Sequence, residues 1–149
     1  MAAEDSKTLH IDRNPDSLDV SGLRGSISVE RLKPDAILYR FEGHLSEEMF
    51  EPSMAFANAA IARYPKIDLM GDGERWIGYE PGYRRAWTMW FSAHRKQIRV
   101  AHLMSKSSIV RMGAQVINLA LGAGLLHIHK DRVAFDAIVA GLSPTISGH

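Results

Sequence analysis

Cysteine is absent from this 149-residue chain, which excludes a disulfide framework, a thiolate metal site and a thiol nucleophile. Long apolar runs are also missing. The longest, at 112–126, is interrupted by Gln115 and Asn118 and is shorter than the roughly 20 residues of a membrane-spanning helix. Residues 1–17 are polar and acidic and lack the apolar centre of a signal peptide. These absences favour a cytoplasmic protein without a transmembrane segment.

Acidic residues are missing from a long internal stretch. Residues 81–130 contain eight Lys or Arg and no Asp or Glu, whereas residues 1–80 hold 15 of the 17 acids and nine basic residues. Either folding interleaves the two sets of charges, or a basic face meets an anionic partner or a second copy of the chain. Eight cations over fifty residues are too dispersed for a phosphate backbone, so no nucleic-acid partner is expected.

Apolar periodicity predicts nine elements after a polar, flexible arm at residues 1–23. Alternating apolar residues at 26–32 and 37–43 predict two strands joined by a turn. Helix and strand patterns then alternate: helices from Ser46 or Glu51 to Tyr64, from Pro81, at 109–121 and after Asp131, and strands at 66–70, 98–104 and 125–129. The order β-β-α-β-α-β-α-β-α within residues 24–145 predicts an α/β domain with helices packed on a mixed sheet.

Two short motifs carry a family resemblance. Residues 67–70 (IDLM) form a predicted strand that ends in a Gly-rich segment, and residues 78–82 (GYEPG) open the second helix. With the element order, they resemble the SpoIIAA-like family, also described as STAS/SEC14-like, over about residues 25–141. The resemblance implies a STAS-like sheet and, in the anti-sigma factor antagonists, a serine at this junction that a kinase phosphorylates. Here the only hydroxyl in residues 79–82 is the phenol of Tyr79, and Glu80 supplies a permanent negative charge at the helix start. The serine switch is therefore absent.

The junction at residues 73–87 concentrates large aromatic and charged side chains. Trp76 and Tyr79 fall in a predicted loop, where they either cover the core or line a small-molecule pocket or a partner surface. The SEC14 side of the resemblance implies an apolar ligand cavity that these rings could wall. Arg75, Arg84 and Arg85 are then candidate anchors for a carboxylate or phosphate head group. Tyr83 and Trp87 either form the core side of the second helix or belong to the same site. The junction's candidates for ligand or partner binding are Trp76, Tyr79, Glu80, Tyr83, Arg84, Arg85 and Trp87.

The predicted helix at 109–121 has more apolar surface than one sheet face requires. Its strongly polar residues, Arg111, Gln115 and Asn118, form one stripe, and the remainder is apolar or Gly. Either neighbouring elements cover the excess, or the helix packs on another copy, a partner or lipid. Arg111 and Ile117 are the candidate contact residues on this helix.

Groups for catalysis or metal binding are sparse. His102, His127 and His129 lie on two predicted strands and would converge if those strands are neighbours, but no metal-ligand spacing accompanies them. No G-x-S-x-G motif is present. The acids Asp72, Glu74 and Glu80 could pair for acid-base work, but the sequence identifies no companion group for them. We therefore expect no catalytic residues, no bound metal and no cofactor.

These observations favour a non-enzymatic, STAS-like interaction or regulatory module. It would act by binding a protein partner or by self-association, with a homodimer expected. The alternative function is to bind or carry a lipid or other amphipathic small molecule in an apolar pocket gated by residues 75–87.

Overall fold

A computed structural model describes residues 9–122 and 124–142 of the protein. Within these residues the strands are β1 (His10–Arg13), β2 (Ser17–Ser21), β3 (Gly25–Lys33), β4 (Ala36–Leu45), β5 (Ile67–Tyr79), β6 (Ile98–Ser105) and β7 (Leu126–His129). The helices are α1 (Phe50–Ser53), α2 (Ala55–Arg63), α3 (Pro81–His94), α4 (Ser108–Leu121) and α5 (Arg132–Leu142). Short 3₁₀ turns at Glu47–Met49 and Arg95–Gln97 precede α1 and β6.

The strands lie side by side in chain order in one mixed sheet. β1 to β4 pair antiparallel, and β4 to β7 pair parallel. The crossovers between the parallel strands all advance the same way along the sheet, so α1 to α4 cover one face. α5 follows the last strand and packs on the opposite face. The predicted α/β class and mixed sheet are confirmed.

Strand alternation divides the apolar residues between two cores. Tyr39 and Leu69 point to the larger core under α1 to α4, whereas their chain neighbours Leu38 and Met70 point to the smaller core. Phe135 of α5 is fully buried in the smaller core. The large core therefore contains most of the aromatic residues, and it contains the candidate site.

The predicted flexible arm is wrong for residues 10–21, which form β1 and β2. Leu18 and Val20 of β2 are fully buried and lie opposite the core residues Val29 and Ile27 of β3. The sequence pattern that indicates β2 is an alternation of only two apolar residues among polar ones. This pattern is too short to predict a strand in a segment whose composition is otherwise polar. Residues 1–8 of the predicted arm and residues 143–145 of the predicted domain lie outside the described residues.

β5 is much longer than predicted and includes Trp76 and Tyr79, so the prediction that these rings lie in a loop is wrong. The Gly-rich segment had indicated a turn. Instead, a Cβ at Gly73 would approach the Met104 carbonyl oxygen to 2.8 Å, so glycine allows close backbone approach within the sheet. The pairing with β4 shifts register along this part of β5.

Two helix predictions also differ in detail. The first helix is divided at Met54 into α1 and α2, and Ser46 makes no side-chain capping bond to the turn that follows it. The apolar pattern of the last helix predicts that Val133 and Phe135 point inward, but only Phe135 is buried and Val133 is exposed. Among the described residues, no helix combines the length and the apolarity needed to cross a membrane.

Candidate functional site

Most of the predicted site residues surround one cavity of about 70 Å³ between the sheet, α3 and α4. We call it the α3–α4 cavity. Six of the nine candidates line it: Trp76, Tyr79, Tyr83, Arg84, Trp87 and Ile117. They come from the end of β5 and from the inner sides of the two helices. The fold therefore brings six of the nine candidates together around one cavity, which the sequence alone did not establish.

Large rings on one side of the cavity face small residues on the other. Trp76 packs on Phe41, with ring centroids 4.3 Å apart, and its indole nitrogen donates to the Gly78 carbonyl at 2.9 Å. From α4, Gly113 and Ala114 line the opposite wall. A Cβ at Gly113 would collide with the Tyr79 hydroxyl, so glycine permits the close approach of helix and strand. Because these two α4 residues are small, space remains between the elements.

Two polar atoms of the cavity wall are buried without a partner. Tyr83 is 1% exposed and Trp87 is 8% exposed. The Tyr83 hydroxyl and the Trp87 indole N–H have no hydrogen-bond partner among the described residues. Such a group costs about 1–3 kcal/mol when it is buried unpaired. In contrast, the Tyr39 hydroxyl on the same wall contacts the Met54 sulfur at 3.3 Å.

Burial also determines the protonation of Tyr83. It raises the pKa of this phenol well above its ordinary value, and the neighbouring Trp87 N–H opposes the shift only in part. The hydroxyl is therefore protonated at neutral pH and remains a potential donor, whereas the Trp87 indole N–H already interacts with the Tyr83 oxygen, although the contact is too loose to count as a close hydrogen bond.

Of the three candidate arginine anchors, only Arg84 lines the cavity, where it is half-buried. Arg85 is exposed on α3. Arg75 is exposed beside Glu42, with a charge separation of 3.9 Å. A charged ligand group at the cavity would therefore meet the guanidinium of Arg84 first.

Glu80 has a structural contact at the start of α3. Its backbone has the extended conformation of a helix N-cap, and its carboxylate accepts a hydrogen bond from the Glu47 N–H at 2.9 Å. Its own N–H donates to the Leu45 carbonyl at 2.9 Å. Glu80 thus joins α3 to the end of β4 and to the turn before α1.

Two of the polar side chains of α4 form hydrogen bonds with neighbouring segments of the chain. Arg111 donates to the Ser105 carbonyl at 3.1 Å, and the Asn118 amide both donates to and accepts from the Leu126 backbone at 2.9 Å. Ile117, a candidate contact residue, is buried on the cavity side. Neither Ile117 nor the paired end of Asn118 is therefore part of the outer surface of α4.

Apolar side chains occupy that outer surface instead. Their exposed fractions are 59% for Ile109, 62% for Met112, 39% for Val116 and 81% for Leu119. They follow one another at spacings of three, four and three residues. We call this row the α4 seam. The surplus of apolar surface predicted for this helix is confirmed, and the missed signal was its 3-4-3 spacing.

The acids Asp72 and Glu74 are held in ion pairs on the opposite face of the sheet. Arg132 donates to Asp72 at 2.6 Å and to Glu74 at 3.2 Å, and Lys106 lies 3.1 Å from Glu74. Burial alone would raise the pKa of Asp72, but bonds from Arg132 and the Glu74 N–H outweigh it and lower this pKa. Lys106 and then Arg132 lower the pKa of Glu74. Both carboxylates are therefore ionised partners of cations and poorly suited to act as general acids.

The three histidines on β6 and β7 do converge. His102 Nδ1 lies 2.8 Å from His129 Nε2, and the ring of His127 lies 5.1 Å from that of His102. Burial, followed by the charges of the neighbouring imidazoles, lowers the pKa of both His102 and His129. Within residues 9–122 and 124–142, no group of three or more potential ligands is arranged to hold a metal ion.

Comparison with known proteins identifies the fold. No protein-family model matches the chain, and no curated protein matches it. A similar solved structure is the crystal structure of an uncharacterized protein from the DUF3478 family with a SpoIIAA-like fold, from Shewanella loihica PV-4. The similarity covers 89% of this chain and 92% of that chain, with a TM-score of 0.54 and 13% identity. It confirms the SpoIIAA-like fold and, at this identity, shows the fold alone.

Proposed function

We propose that this domain is a non-enzymatic binding module that associates with a second copy of itself through the α4 seam. The observation that carries the proposal is the row of four apolar side chains that α4 exposes to solvent. Contiguous apolar patches of a few hundred Å² on a protein surface commonly mark interaction sites. The pairing of Asp72 and Glu74 with cations supports a role without acid-base chemistry.

The spacing of the seam favours a helix as its partner. A 3-4-3 repeat is the a/d pattern of helices that pack in pairs, and it is narrower than the stripe a helix needs to cover a sheet. From Ile109 to Leu119 the row spans roughly 15 Å, given a rise of 1.5 Å per residue. Two to three helical turns are thus available for side-chain interdigitation.

The composition of the seam favours a second copy of the same helix. Its four positions carry no charge, and the one basic residue of α4, Arg111, is bonded to the Ser105 carbonyl. No charged partner surface is needed, and an uncharged row can pair with itself about a two-fold axis. Two-fold homodimers are the commonest protein assembly. In an antiparallel arrangement, the helix dipoles of the two copies also attract each other.

Light scattering coupled to size-exclusion chromatography, repeated over a range of protein concentrations, tests this proposal. We expect the wild type to be dimeric and Met112→Glu/Leu119→Glu to be monomeric, because two charges per copy would be buried in the interface. Ser92→Glu/Ala93→Glu is the matched control, since it adds the same two negative charges at exposed positions of α3, outside the seam. A wild type that stays monomeric at every concentration would refute the proposal, as would a control as disruptive as the seam variant.

A further inference from the structure

Three histidines converge on the face of the sheet that α5 covers, and we infer that two of them, His102 and His129, together bind one copper(II) or nickel(II) ion. The inference does not depend on self-association, because the seam belongs to α4, which packs on the opposite face. It rests on three features of the cluster: the register that brings the rings together, the distance between two ring nitrogens, and their access to solvent.

The pairing of β6 with β7 brings the histidines together. His102 lies between Ala101 and Leu103, which point to the larger core, so its own side chain points to the opposite face. His127 and His129 alternate in the same way with the apolar residues of β7 and share that face. His102 pairs directly with His127, and His129 lies one step further along the same face. Because β6 supplies one histidine and β7 supplies two, no ligand spacing in the sequence indicates the site.

Two facing ring nitrogens have the separation of neighbouring ligands on one metal ion. His102 Nδ1 lies 2.8 Å from His129 Nε2. Metal–nitrogen bonds of about 2.0 Å that join nitrogens at this distance meet at about 90°. A right angle between ligands belongs to square-planar or tetragonal coordination, which copper(II) and nickel(II) adopt. Tetrahedral zinc would need the same nitrogens about 3.3 Å apart.

The ion would take the place of a proton that lies between the two rings. A hydrogen bond between neutral imidazoles needs the proton on one facing nitrogen and the lone pair on the other. In the metal complex, the donor ring carries this proton on its other nitrogen, so both facing nitrogens present lone pairs and the neutral pair loses no proton. The ring torsion of histidine is broad, so small rotations direct both lone pairs to one ion.

Solvent would supply the remaining ligands. His102 and His129 are half-buried and His127 is exposed, so an ion with its water molecules can reach the cluster. The ring of His127 lies 5.1 Å from that of His102, and no group of three or more potential ligands among the described residues can hold a metal ion. The site therefore has two imidazole ligands, and water completes the coordination.

A bound ion would fasten the last strand of the sheet. β7 has only four residues and lies at the edge of the sheet, where it pairs with β6. The ring of His129 lies 6.2 Å from that of Phe135, the buried residue of α5. An ion held by His102 and His129 would join β7 to β6 beside this contact. Because such an ion binds the folded chain, it would raise the unfolding free energy by mass action.

Isothermal titration calorimetry with nickel(II) chloride, in a buffer that does not chelate metals, tests the site. We expect one ion to bind per chain and to raise Tm in parallel thermal unfolding experiments. Zinc(II) should bind more weakly than nickel(II), because its ligand angle does not match the separation of the two nitrogens. Tighter binding of zinc(II) would overturn the assigned geometry. No saturable binding up to about 1 mM nickel(II) would refute the inference.

Histidine variants assign the ligands. His102→Gln and His129→Gln should each weaken nickel(II) binding at least about tenfold, since even the residues that hold a metal ligand in place contribute that much. His10→Gln is the matched control, because His10 is exposed on β1 at the opposite edge of the sheet. It should change the affinity less than about twofold. Equal losses in His10→Gln and His129→Gln would overturn the assignment.

Pulsed electron paramagnetic resonance of bound copper(II) counts the ligands in the wild type and does not depend on any variant that fails to fold. We expect two coordinated imidazoles in the wild type, and still two in His127→Gln. A wild type without a coordinated imidazole, or with a third one that His127→Gln removes, would refute the two-ligand site. The monomeric seam variant should bind nickel(II) like the wild type, which separates this inference from the proposed self-association.

Discussion

Asn118 provides a direct test of how α4 is held. Its amide makes two hydrogen bonds with the backbone of Leu126, one from the Leu126 N–H and one to the Leu126 carbonyl. Both groups are half-buried beside β7. Asn118→Ala would remove both bonds and leave two backbone groups to find water at the edge of the sheet.

The expected cost follows from those two bonds. Each contributes a net stabilisation of about 1 kcal/mol, and a fully buried orphan group would add a penalty of about 1–3 kcal/mol. Water can reach these half-buried groups, so we take the low end of that range. Alanine restores up to about 0.7 kcal/mol through its better helix propensity. The net loss in unfolding free energy should be about 2 kcal/mol, or a fall of about 4–8 °C in Tm for a domain of this size.

Thermal unfolding followed by circular dichroism measures this loss. Gln115→Ala is the matched control, since it truncates an exposed side chain on the same helix, one with no hydrogen bond to any described residue. Its unfolding free energy should lie within about 0.5 kcal/mol of the wild type. The two truncations are chemically similar and differ chiefly in the bonds to Leu126. Equal shifts in Tm would refute the conclusion that Asn118 fixes α4 to β7.

Two further predictions concern ionisable groups. Because the folded-state pKa of His102 and His129 is lowered, the unfolded chain takes up protons first as the pH falls below about 6.5. The unfolding free energy, measured by urea titration, should therefore decline from about pH 7 to about pH 5. His129→Gln should make this decline less steep. An unchanged slope would contradict the assignment of the pH dependence to His102 and His129. Arg99→Gln should cost about 2–3 kcal/mol, because it leaves the buried carboxylate of Asp68 without its two guanidinium bonds at 2.9 and 3.1 Å. The control is Arg40→Gln, which breaks the exposed ion pair with Glu30 and should lower the unfolding free energy by less than about 1 kcal/mol. Urea denaturation measures both losses, and equal losses would show that the burial of Asp68 is unimportant.

Local periodicity was sufficient for the central elements of the fold. The β3–β4 hairpin and helices α3 and α4 were predicted within a few residues of their observed bounds, because each buries one regular face. The predicted strand was too short because Gly71 and Gly73 are typical of a turn. In the sheet, these glycines instead leave room for the close approach of β6, which only the assembled sheet determines.

The sequence predicted which residue types surround the candidate site, but it did not predict which of their polar groups find hydrogen-bond partners. The aromatic content of the junction indicated a wall of rings, which includes Trp76 and Tyr83. That the Tyr83 and Trp87 donors lack partners depends on the relative placement of three separate elements. Likewise, the sequence showed too much apolar surface on α4, but only the inward hydrogen bonds of Arg111 and Asn118 establish which side remains exposed.

α4 has the seam on one face and the α3–α4 cavity on the other, and this arrangement limits how the two can influence each other. Gly113 and Ala114 line the cavity, whereas Met112 and Val116 belong to the seam. A ligand changes an association equilibrium only through different affinities for the two states. A molecule that occupies the cavity without displacing α4 would leave dimerisation unchanged. One that moves the helix outward would alter dimerisation, and dimerisation would then change the affinity for that molecule by the same factor. The hydrogen bonds of Asn118 to Leu126 resist that movement, so their strength determines how far the two faces are coupled.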